Sequence, residues 1–184
     1  MLTRDEALKM VNEHLKDDKL VKHVLAVEAI MRNLAKHLGE DEELWGIVGL
    51  IHDLDYQETL NSPEVHATKT VEYLQGLVPP EVINAVKAHN YEYTHVQPQT
   101  RLEKGLICSD AVSGLVIAAA LVMPNKKLEQ VRVETLKKKF KDKTFAAATG
   151  RDRIRVCEEI GVPIPEFFRI SLEALQKISN SLGL

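Results

Sequence analysis

The 184-residue sequence is poor in several things, and each shortage narrows what the chain can be. It holds two cysteines, Cys108 and Cys157. Both read as small apolar core residues, expected to be reduced thiols in a cytoplasmic protein. No apolar run of about 18 residues is present, so no membrane span is expected. The opening stretch, MLTRDEALKM, lacks the apolar segment of a secretory signal. Seven prolines and nine glycines are too few for a collagen-like or disordered chain. Aromatics make up only 5% of the residues, and no segment alternates apolar and polar positions for long enough to suggest strands.

What is there leans helical. Hydrophobic residues reach 45%, with Leu, Ile, Val and Ala filling most apolar positions. Thr3-Arg-Asp-Glu6 is a capping box, followed by a stripe of Ala7, Leu8, Val11 and Leu15. A second helix is expected over 19–38, with Leu20, Val24, Val27, Met31 and Leu34 inward and Gly39 as its stop. A third is expected over 41–54, a fourth from Ser62-Pro63-Glu64, and a fifth from Pro80 to about Asn90. Thr100-Arg-Leu-Glu103 caps a long sixth helix that stops before Pro124. A basic helix to Lys139, one from Arg151 to Ile160, and a last from Pro165 complete the set. The expected fold is all-α: a single domain over 1–184, a bundle of about nine helices.

Charge is uneven. Between Asn125 and Arg155 eleven Lys and Arg face four acids, a balance of +7; with a chain total of −3, the remainder carries −10. That asymmetry suggests an anionic partner near the basic stretch, and leaves nucleic acid open as one such partner.

The polar residues inside apolar patterns carry the chemistry. In GLIHDLDY (49–56), His52 and Asp53 end an apolar run, where unpaired charge is expensive. His23 shares the apolar face of the second helix with Val27, Ile30 and Leu34. Asp110 lies mid-helix among Leu106, Ile107 and Gly114. His66 is expected on the fourth helix with Thr70 and Tyr73, and His89 follows Val82 and Val86 at the end of the fifth. Five helices each presenting a His or Asp inward point to a divalent cation. The mixed imidazole and carboxylate donors suit Mn, Fe, Co, Ni or Zn, and with no thiolate in the set a closed structural zinc site is not expected. His95 reads as a loop surface residue; His14 and His37 carry no assigned role.

The order His23, His52-Asp53, Asp110 resembles the HD superfamily of metal-dependent phosphohydrolases, over about residues 20–115. The added His66 and His89 resemble its binuclear members, and KFKDKTFAAATGRDR resembles a subgroup of uncharacterised prokaryotic HD proteins. The resemblance implies one ion on His23, His52, Asp53 and Asp110, and a second on His66 and His89 with Asp53 bridging. It implies hydrolysis of a phosphate ester or anhydride, with a nucleotide as the substrate class. Many relatives continue His-Asp-Ile-Gly-Lys, whereas this chain has His52-Asp53-Leu54-Asp55-Tyr56 and so lacks the lysine. Asp55 then orients a ligand histidine, assists proton transfer, or caps a turn. Lys141, Lys143 and Arg151 are the expected phosphate-binding residues, because they lie in a loop-like stretch. Two other functions are compatible with the same ligands: a di-iron HD-fold oxygenase, and a non-catalytic module that binds metal or nucleotide.

Overall fold

The computed structural model describes all 184 residues. It contains helices and no strands. Nine helices have seven residues or more: α1 (Arg4–His14), α2 (Asp18–Leu38), α3 (Glu42–Ile51), α4 (Thr68–Leu74), α5 (Pro80–His89), α6 (Arg101–Leu121), α7 (Val133–Lys141), α8 (Arg151–Glu159) and α9 (Ile164–Lys177). Single turns at 56–59, 91–94 and 179–182 and short 3-10 segments join them. Both expected capping boxes form: Glu6 and Glu103 accept from the backbone of Thr3 and Thr100, whose hydroxyls accept in return. Gly39 ends α2 in the left-handed conformation that favours glycine.

Helix α6 is the axis. It touches α2, α3, α5, α7, α8 and α9, and its buried residues run from Leu102 to Ala120. By length and composition this helix is apolar enough to cross a membrane, with a mean hydropathy of 1.6 over its richest window. That corrects the expectation that no such segment exists. Its apolar composition is used here against protein, since 67% of that window is buried inside the fold. One apolar cluster includes Ala7 in α1, the α2–α3–α6 contact, and Leu175 and Leu182 beyond it. Cys108 and Cys157 are free and belong to this cluster, and burial pushes the Cys157 thiol up to about 12.

Two boundaries next to the site differ from the sequence reading. Helix α3 ends at Ile51, so His52 is its C-cap and Asp53 lies in the turn beyond. The Ser62-Pro63 start produces only a 3-10 turn at Pro63–Val65. His66 then lies in an extended connection, and Ala67 turns the chain at φ 73 before α4 begins. The set described as five helices is therefore three helices and two connections.

A close approach of backbone to backbone sets the site's frame. Helix α3 lies so close to α2 that a Cβ at Gly49 would sit 3.0 Å from the Glu28 Cα and backbone N. Backbone cannot give way as a flexible side chain can. Gly49→Ala is therefore expected to lower stability by about 1–3 kcal/mol, or roughly 2–4 °C in Tm per kcal/mol for a domain of this size. A thermal melt that leaves Tm unchanged would show that the two helices separate freely.

Candidate metal centre

Asp53 stands at the focus of four imidazoles. Its Oδ1 lies 3.4 Å from His52 Nε2, 3.3 Å from His66 Nε2 and 3.3 Å from His89 Nε2. Its Oδ2 lies 3.5 Å from His23 Nε2, which is also 3.3 Å from Asp110 Oδ1. His66 Nε2 and His89 Nε2 are 2.9 Å apart. Two groups bring one donor atom each within 4.8 Å of the others: His23, His52 and Asp53; and Asp53, His66 and His89.

The far nitrogen of each ring fixes its tautomer. His52 Nδ1 lies 2.8 Å from Gly49 O, and His89 Nδ1 bonds Val86 O. A carbonyl only accepts, so both Nδ1 atoms carry the proton. These carbonyls belong to the last turns of α3 and α5, where the helix leaves acceptors unsatisfied. A histidine at a helix C-terminus thus fills a carbonyl three residues back and aims its Nε2 forward. His66 Nδ1 lies 2.8 Å from Asp55 Oδ1. His23 Nδ1 lies 3.4 Å from Ser113 Oγ, whose own proton goes to Asp110 O at 2.7 Å. All four Nε2 atoms therefore present lone pairs to carboxylate oxygens when the rings are neutral. His52 Nε2 is buried with no hydrogen-bond partner. Lone pair facing lone pair is repulsive, and a cation between them removes the conflict. The residues present fit a divalent ion on this observation.

Asp55 is fully buried. Its Oδ1 holds His66, and its Oδ2 accepts from Thr70 N at 3.1 Å. Thr70 thus meets Asp55 rather than His66, because α4 starts after the histidine. The Asp55 side chain makes no cap hydrogen bond to the turn at 56–59 that follows it, and instead serves the first turn of α4 through Thr70 N. Nor does it line the cavity over the site, which has about 420 Å³ and walls that include His23, Asp53, His66, His89, Asp110 and Arg153. Tyr56, Asn90 and Arg153 are wall residues that sequence reasoning missed. Asn90 Nδ2 donates to Pro63 O and His66 O, which secures the connection bearing His66. Each of the three had a neighbouring signal: Asn90 follows His89, Tyr56 ends GLIHDLDY and Arg153 ends KFKDKTFAAATGRDR.

The expected phosphate-binding residues are elsewhere. Lys141 and Lys143 are exposed and line no wall of this cavity. The Arg151 guanidinium is spent on its own chain, donating to Ala146 O, Thr149 Oγ1, Lys139 O, Asp142 O and Phe145 O. His95 is exposed, His14 stacks on Tyr73 at 4.2 Å, and His37 lies 3.8 Å from Glu166.

A family model described as HD domain matches residues 20–115, just over half of the chain. The chain belongs to the HD-domain family. No curated protein and no solved structure matches it. The family is one of metal-dependent phosphohydrolases, and the His/Asp cluster of this HD domain fits metal binding.

Without metal, protons do the bridging. Burial alone lowers the His66 pKa, but Asp53 and Asp55 outweigh it and raise it to about 10. For His23, burial is likewise outweighed, by Asp110 and Asp53, again to about 10. Burial holds His52 down at about 4, so it stays neutral. Asp53 is kept well below the usual carboxylate range: burial would raise it, and the surrounding histidines prevail. A raised histidine stabilises fully below its unfolded value of 6.5, and that stabilisation is lost as pH rises towards 10. Protons also compete less for the ligands there. The gap between the melting temperatures of metal-loaded and chelated protein is therefore expected to widen from pH 6.5 upwards. A gap that stays constant or narrows would show that the ion does not replace these protons.

Proposed function

We propose that this HD domain hydrolyses a phosphate ester or anhydride with two divalent transition-metal ions. His23, His52, Asp53 and Asp110 would hold one; His66 and His89 would hold the other, with Asp53 bridging. The observation that carries this reading is the convergence of four imidazole Nε2 atoms on one buried carboxylate. Mn, Fe, Co, Ni and Zn all suit nitrogen and carboxylate donors. When bound, such ions lower the pKa of water towards neutrality and neutralise charge on phosphoryl oxygens.

The chain's own residues supply the positioning. Asp53 orders both ligand groups about one carboxylate. Asp55 keeps the His66 proton on Nδ1 and so turns Nε2 to the site; this is orientation, since its carboxylate does not reach the cavity. Tyr56 stands edge-on to His66 at 5.3 Å and closes one side. A cavity of about 420 Å³ suits a small phosphorylated molecule, and the nucleotide reading rests on family likeness. The apolar cluster shared between residues 20–115 and the later helices supports reading 1–184 as one domain.

Protein purified without added metal is expected to hold at least one transition-metal ion per chain by elemental analysis, and to hydrolyse phosphomonoesters or nucleotides. His66→Ala and His89→Ala are each expected to weaken the second ion or turnover by about 10- to 100-fold while sparing the first. Asp53→Ala should lose both. Full metal content and full turnover in both histidine variants would overturn the two-ion reading. Metal with iron colour and O₂ consumption but no phosphate release would overturn the hydrolase reading.

A further inference from the structure

The geometry points to Arg153 as the residue that receives the phosphoryl group of the substrate, an inference that rests on the hydrolase reading above. Arg153 lies outside the matched segment 20–115, near the start of α8. It is the one Lys or Arg lining the cavity over the His/Asp cluster. It also lines an adjoining recess of about 210 Å³, bounded by Ala111, Gly114 and Thr149. His23 and Asp110 are shared by both spaces, so Arg153 stands where they meet.

Its guanidinium is held at one end and unspent at the other. Nη2 donates to His89 O at 2.7 Å and lies 3.4 Å from Asp110 Oδ2. The backbone contact anchors the group; the carboxylate contact is too long to be strong. A guanidinium carries five N–H donors, and Nη2 accounts for two. Nε and Nη1 donate to no protein acceptor and are not among the sealed, unsatisfied atoms, so solvent reaches them. These N–H groups are available to phosphoryl oxygens entering the cavity that Arg153 lines.

The local chain is built to place this side chain. Arg151, two residues earlier, ties the 142–149 loop through its carbonyls. Gly150 takes φ +46, and a Cβ there would meet Arg153 Cδ at 3.0 Å. Gly114 lets Thr149 approach α6, since a Cβ would lie 2.9 Å from its Cγ2. Residues at i and i+2 point to different sides of a helix, so one arginine secures the loop and the other enters the site.

The test uses inorganic phosphate as the probe and the full-length, metal-loaded protein. Phosphate affinity is measured by calorimetry for wild type, Arg153→Met and Arg153→Lys, with metal per chain and Tm recorded for each. Arg153→Met keeps the apolar stem and is expected to weaken phosphate binding by about ten- to a hundredfold with metal content unchanged. Arg153→Lys should recover only part, because a flexible ammonium cannot both hold His89 O and keep the fixed outer N–H directions of the guanidinium. Equal phosphate affinity in wild type and Arg153→Met would overturn the inference. So would a loss seen only in proportion to lost metal, which a purely structural role through His89 O would produce. Turnover of p-nitrophenyl phosphate by wild type is scored separately: its absence, alongside Arg153-dependent phosphate binding, sinks the hydrolase reading and leaves Arg153 as an anion site.

Discussion

The structure depends on one conflict: a buried carboxylate surrounded by imidazole nitrogens that have lone pairs to offer. Asp53 has no backbone donor to satisfy it, and its neighbours at 3.3–3.5 Å are His23, His52, His66 and His89. In water such a carboxylate would be solvated; inside a helical core it needs positive charge close by. Protons meet that need in part, which is why His23 and His66 rise to about 10. They cannot serve His52, whose ring is too deeply buried to accept a charge and remains at about 4. A cation shared among the nitrogens serves all of them, including the buried Nε2 that no protein group reaches.

The helices are arranged so that each ring's other nitrogen is already committed. Two rings use the carbonyls left over at the ends of α3 and α5. Ending a helix and aiming a ligand are then the same event, and the site needs no special loop to orient His52 or His89. His66 has no helix end to use. It depends on Asp55, on the Asn90 amide, and on the left-handed Ala67, a conformation non-glycine residues adopt only when their surroundings enforce it. The half of the site built on helix ends is therefore the more rigid, and the half built on the 60–67 connection relies on a polar network.

Much of this was legible in the sequence, for physical reasons. Capping boxes and 3.6-residue stripes are local, so Thr3, Thr100 and the faces of α1 and α2 could be read directly. His23, His52, Asp53, His89 and Asp110 stood out as polar residues in apolar patterns, and the fold brings them together. What failed was non-local. A proline at a helix start reads the same whether a helix or a single 3-10 turn follows, so the placing of His66 was lost. The contacts of Asp55 had no local signal, because the Thr70 and His66 groups on its two oxygens lie 15 and 11 residues away in sequence. Arg153 is the last residue of KFKDKTFAAATGRDR, but nothing local distinguished it from Arg151 as the arginine that enters the site.

The basic stretch shows why net charge is a poor locator of function. Its +7 spreads over surfaces with separate tasks. Lys138, Lys139 and Lys141 lie in the last turn of α7, where cations oppose the helix dipole. Lys139 and Arg155 also lie over the rings of Phe145 and Phe140, and Lys137 pairs with Glu134. Arg151 is consumed by carbonyls. Such charges are exposed or satisfied, and salt screens the exposed ones within about 8–10 Å under ordinary conditions. Arg153 differs because it is largely buried in the cavity wall and its contacts leave donors free. One guanidinium held in a cavity beside Asp110 shapes the field there more than a row of solvated lysines can. The C-terminal helices thus matter to the site through the position of a single side chain, not through their summed charge.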